Sequence, residues 1–284
     1  MIHFLLNTIA LDPNRWTKDK VPYYRIDQLV KPIIISGFHF LEIWQYHVSF
    51  ENEIYIKHLG DQGRALGLSF PVVGMYPKLH LDGEDRRREI AQIEKILNYA
   101  KILGANVLKM FVGNISSSAI TQPEYDNSLE TMKRVISLAK SMDLMVTGET
   151  HQKTLFDNID SCLTFMKKIN ADNFMICFQP YNLEETEQAL SDYKLVTDRV
   201  IHVHYQGRKD KQMELLENSS LDYKKLSQTL IENRFAGYIS LEFVKNCVVE
   251  INADFKLDLV LQNARRDRDY IINIGKDLGI DILH

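Results

Sequence analysis

EDRRREIAQIEKILNYAKILGANVLKMFVG, residues 84–113, contains one complete structural unit. Ile90, Ile93, Ile96, Leu97, Ala100 and Leu103 fall three, four or seven apart, which gives a helix one apolar face. Gly104 then stands where a helix stop belongs. NVLKMFVG (106–113) follows at once as a short apolar run suited to a strand. A helix feeding directly into a strand buried on both faces is half of a parallel β/α repeat.

The same alternation extends in both directions. The other strand candidates are IHFLLN (2–7), FHFLEIW (38–44), LSFPVVGM (68–75), LMVTGE (144–149), NFMICFQ (173–179), RVIHVHY (199–205) and GYISLEF (237–243). Between them, Leu129, Met132, Val135, Ile136, Ala139 and Met142 repeat the helical spacing, as do LDYKKLSQTLIENRF (221–235) and the segment from Phe255 to Ile274. No Pro/Gly/Ser linker interrupts the series, so residues 1–284 read as one domain. Eight units in 284 residues average about 35 each, the size of a strand, a helix and two short connections. The expected fold is α/β, a closed (β/α)8 TIM barrel. An open doubly wound sheet would carry a Gly-rich phosphate turn after its first strand, but here LLNT is followed by IALDPNRW.

With 45% hydrophobic and 25% charged residues, the composition excludes a disordered tail or a collagen. Thirty-four basic against 38 acidic residues give a net charge of −4, too little imbalance for nucleic acid to be expected as a partner. Arg86-Arg87-Arg88 and the arginines at 265, 266 and 268 fall on helices with acidic neighbours and read as solvated faces. Cys162, Cys177 and Cys247 form no C-x-x-C pair, so no disulfide framework or thiolate zinc site is expected, and a cytoplasmic setting is the simplest one. No run of 18 apolar residues suggests a membrane span, and the N-terminal apolar run lacks a basic flank, so it reads as a first strand.

The last four strands end in polar residues: Glu149, Gln179, His204 and Glu242, spaced at about one repeat length. Taken singly, each could be a strand end facing water. Taken together, four equivalent ends on one side of a barrel converge at the mouth. Two carboxylates brought together repel unless a proton or a cation joins them. The O and N donor set suits Mn²⁺ or Mg²⁺ ahead of Zn²⁺ or Co²⁺. Lys109, within NVLKMFVG, faces either the barrel interior or the helix layer, and the sequence leaves both open.

GFHFLEIW, VTGETHQKTLFDN, ICFQPYN, VIHVHYQGR and YISLEF resemble, in order, the second, fifth, sixth, seventh and eighth strand ends of the xylose isomerase-like TIM barrels. That superfamily includes sugar isomerases and epimerases, inosose dehydratases and apurinic endonucleases. The resemblance implies a metal held by Glu149, Gln179, His204 and Glu242, with Gln179 standing where the family usually has Asp. One negative charge is lost by that change, so weaker metal binding is expected. It further implies substrate contacts at Glu42 and Trp44, ending the second strand, and at His151, Asn182 and Arg208. The implied activity is a metal-dependent sugar isomerase or epimerase that abstracts a proton next to a carbonyl, with Glu149 and Glu242 as the catalytic pair. An inosose-type dehydratase on the same site is the first alternative, and a catalytically inactive sugar-binding barrel is the second. The nuclease branch requires further His and Asp ligands that Asn182 and Tyr205-Gln206-Gly207 do not supply. A small sugar or polyol is the expected partner, phosphorylated or free, and a homo-oligomer is left open.

Overall fold

The computed structural model describes residues 1–250 and 252–284. Eight parallel strands form the barrel: β1 (Ile2–Asn7), β2 (Phe40–Ile43), β3 (Ser69–Met75), β4 (Val107–Phe111), β5 (Met145–Glu149), β6 (Phe174–Phe178), β7 (Val200–Gln206) and β8 (Gly237–Phe243). Each pairs with the next, and β8 returns to β1 with Ile2 opposite Gly237 and Leu6 opposite Leu241, which closes the barrel. The eight expected strands are all present, each within two residues of its expected start.

One long helix follows each strand: α1 (Ile26–Ile35), α2 (Glu53–Leu66), α3 (Gly83–Leu103), α4 (Gln122–Ser141), α5 (Ile159–Ile169), α6 (Thr186–Val196), α7 (Tyr223–Glu232) and α8 (Leu257–Asp277). Their ends follow local chemistry. Gly104 stops α3 in the left-handed conformation at φ 77°, and Thr121 with Glu124 forms a capping box on α4. None of the described helices is long and apolar enough to cross a membrane.

Because side chains alternate along a strand, each barrel strand serves two interiors. Leu6, Ile43, Val73, Leu108, Val146, Ile176, Val203 and Leu241 point outward into the main core beneath the helices. Burial of each such side chain contributes about 1.5–3 kcal/mol. Leu5, Val72 and Val107, with Met145 and Tyr238 against them, form a separate small cluster inside the barrel. Residues of that inward parity nearer the strands' C-terminal ends are polar, and they build the site.

Candidate metal centre and cavity

Glu149 ends β5, Gln179 follows β6, and His204 and Glu242 lie near the ends of β7 and β8. All four are buried, and their polar tips meet. His204 Nδ1 lies 3.6 Å from Glu149 Oε1, 3.5 Å from Glu242 Oε2 and 3.3 Å from the Gln179 side-chain oxygen. That Gln179 atom lies 2.9 Å from Glu242 Oε2 and 3.3 Å from Glu149 Oε1. Neighbouring ligands about 2.1 Å from one octahedral ion would sit about 3 Å apart, close to these separations. With its oxygen inward, Gln179 faces carboxylate oxygens and needs a cation between them. With its NH2 inward, it donates to both carboxylates.

A layer of polar residues beneath fixes these tips. Glu42 on β2 accepts from His204 Nε2 at 3.0 Å, so in the neutral ring the Nδ1 lone pair is the one that faces the cluster. The other inward histidine of β7, His202, reaches Glu42 at 3.3 Å and Ser240 at 2.8 Å. Lys109 on β4 faces the interior. Its Nζ donates to Glu149 Oε2 at 2.6 Å, lies 3.6 Å from Glu42 Oε1, and sits 4.8 Å from the centre of the Tyr76 ring. Gln206 ties the other side, donating to Glu242 at 2.9 Å and to Gln179 at 3.2 Å.

The electrostatics follow from this packing. Burial pushes the Glu149 carboxyl up, but Lys109 and His204 outweigh it and hold it below the usual carboxylate range. Glu42 is likewise driven well below that range, because His204, Lys109 and His202 together exceed its burial cost. Burial lowers His204, but Cys177 and the carboxylates of Glu42, Glu242 and Glu149 raise it well above the ordinary histidine value. That negative field is also what attracts a divalent cation. With both inward histidines of β7 neutral, the form in which His204 could ligate, three interior carboxylates against one lysine leave two negative charges, the charge such an ion neutralises. Cys177, His202 and His204 also offer donor atoms within 4.8 Å of one another. There, however, both imidazole Nε2 atoms are already bonded, to Ser240 and Glu42. Only the upper cluster opens outward, because Gln179 and Glu242 border a cavity of about 850 Å³.

Trp44, His151, Asn182 and Arg208, expected at the substrate, line that cavity. His151 stacks on Phe111 with ring centres 4.4 Å apart, and Asn182 caps the backbone of Glu184 at 3.0 Å. Glu42 needs correction. It was expected at the mouth with substrate, but it is fully buried under the ligands and does not border the cavity. The reason is that Glu42 lies within β2, which ends at Ile43, so Trp44, two residues on, borders the cavity and Glu42 lies one layer lower. His202, Gln206 and the direction of Lys109 were not read from the sequence. The first two stand two residues either side of His204, and inward parity alone would have found them.

A family model described as xylose isomerase-like TIM barrel matches residues 35–266. The chain belongs to that family. A 3-dehydroshikimate dehydratase of Bacillus anthracis is 20% identical over 179 residues, spanning 61% of this chain and 62% of that protein, less than two thirds of its length. The crystal structure of a probable 3-DHS dehydratase from the same organism superposes with a TM-score of 0.71 at 17% identity, covering 92% of this chain and 98% of the other. A D-psicose 3-epimerase crystallised in the presence of D-fructose gives a TM-score of 0.77 at 12% identity, covering 96% and 99%. At these identities the structural likeness speaks for the fold.

Proposed function

We propose that this barrel is a carbohydrate isomerase that removes a proton from the carbon next to a carbonyl and returns it to the neighbouring carbon. The convergence of Glu149, Gln179, His204 and Glu242 at the floor of an open cavity carries this reading. A divalent ion bound by those four residues, Mn²⁺ or Mg²⁺ in first place, would supply the positive charge that offsets a developing enediolate. Neighbouring oxygens of an open-chain ketose would lie above the cluster, walled by Trp44, Tyr76 and Phe111.

Glu242 is the better base of the pair. It borders the cavity, accepts from the neutral Gln206 amide and has no lysine against it. Glu149 is held as an anion by Lys109, which makes it a firm ligand and a poor proton acceptor. One base on one face suffices to move a proton between adjacent carbons. Inverting a single centre, as an epimerase does, would require Glu149 to leave Lys109. The same one-sided arrangement favours dehydration as the second reading, since removing the α-proton and expelling a β-hydroxyl also needs one base. The sequence relative named as a dehydratase belongs with that reading. Glu242→Gln should abolish solvent deuterium uptake into a turned-over ketose while leaving Mn²⁺ bound. Undiminished exchange in that variant would remove Glu242 from the mechanism, and the product, isomer or dehydrated acid, separates the two readings.

A further inference from the structure

The metal cluster engages one end of a substrate, and the rim of the cavity indicates what the other end carries. Arg15, Lys20, Arg208 and Lys211 border the opening. Several cations of the outer surface sit on carboxylates, as in Arg86–Glu130, Arg134–Glu94, Lys140–Asp172 and Arg266–Glu217. Among the described residues, none of the four rim cations has such a partner. Of the acidic residues bordering the cavity, Glu242 belongs to the metal cluster and Glu184 accepts from the Lys211 backbone N–H.

The two arginines are built in. Arg15 is 2% exposed, and its guanidinium lies 5.0 Å from the Trp16 ring centre and 5.9 Å from that of Phe243. Its Nη1 donates to the Asp12 carbonyl, and its buried Nε has no acceptor. The Arg208 backbone is pinned on both sides by Ser219, through N to Oγ at 3.1 Å and Oγ to O at 3.0 Å, yet its Nε is also buried without an acceptor. Lys20 donates to the Arg15 carbonyl at 3.0 Å and sits 5.7 Å from the Tyr46 ring centre, again with no carboxylate. A buried guanidinium N–H without an acceptor is costly, and a fork of such donors matches the paired oxygens of an oxyanion. Four cations with no carboxylate in ion-pair reach therefore border one opening, the one above Glu149 and Glu242.

We propose that the substrate carries an anionic group, a carboxylate or a phosphate, at the end remote from its carbonyl, and that Arg208 and Arg15 receive it. This deepens the proton-transfer reading and rests on it. D-fructose, D-fructuronate and D-fructose 6-phosphate share one ketose skeleton and differ at C6, so titrating each calorimetrically into the full-length protein with Mn²⁺ isolates the anion. At least one anionic ketose should bind ten or more times more tightly than D-fructose. That advantage should shrink at 0.5 M NaCl, disappear in Arg208→Met and survive in part in Arg208→Lys. The tighter of the two identifies carboxylate or phosphate. Arg15→Met and the salt titration of the unaltered protein carry the test if Arg208→Met does not fold. D-fructose binding as well as both anions, failure of both anions to bind, or a preference untouched in both methionine variants would overturn the proposal. Deuterium exchange into D-fructose without any anion preference would sink the anionic end alone. Arginine-dependent binding with no exchange in any of the three would sink the proton-transfer reading alone.

Discussion

Strands β5 to β8 and strands β1 to β4 are the same repeat, but they supply the cavity with different chemistry. The later half contributes every residue of the candidate metal cluster, Glu149, Gln179, His204 and Glu242. The earlier half contributes Glu42 and Lys109, which hold those atoms in place, and the aromatic wall of Trp44, Tyr76 and Phe111. The later half therefore needs the earlier one to keep its buried charges in register, and ligand identity alone does not make the site.

The most damaging way to break this division of labour is Lys109→Met. It removes the ammonium that bridges the buried carboxylates of Glu42 and Glu149, a change that costs about 3–5 kcal/mol. Chemical denaturation of the apo protein should register that loss, and added Mn²⁺ should recover part of it. Asp267 on α8 is the natural control, a buried carboxylate outside the barrel with no lysine beside it. Its Oδ1 accepts from the Leu216 N–H at 2.8 Å, and its Oδ2 has no partner. Burial pushes it from the ordinary 3.8 up to about 7. Because the folded value is the higher one, the stability it allows is present below about pH 4 and is lost as pH rises through 7. Between pH 5 and 8 that loss should amount to roughly 2–3 kcal/mol in urea titrations, and Asp267→Asn should flatten the slope.

Glu42→Gln tests the orienting role without removing a ligand. Mn²⁺ affinity by calorimetry should fall about 10–100-fold, the usual effect of losing such a partner. Unaltered affinity would mean that the later half holds the ion unaided. The smallest expected change is Gln179→Asp, which restores a third carboxylate. The variant should retain Mn²⁺ through dialysis a few-fold better than the parent, read by elemental analysis.

Much of this arrangement was legible in the sequence. Strands such as Val200–Gln206 show as apolar runs between amphipathic helices, and the four polar strand ends recur once per repeat. The supporting layer was not legible, for a physical reason. Leu108 and Met110 flank Lys109 and are buried like it, so β4 has no polar alternation to give its direction away. Glu42 looked like a rim residue because it stands one place from the end of β2, and only the end of that strand at Ile43 sets its depth. The rim cation Arg15 lies in a short 3-10 segment, Pro13–Trp16, where periodicity carries no information.

The amide of Gln179 has a consequence of its own. An aspartate there could only add repulsion once the site lost its ion, whereas half a turn about the last side-chain bond of Gln179 lets the emptied centre close on itself with its own hydrogens. On the proposed reading, such a barrel would release and regain its ion without disturbing the fold around it.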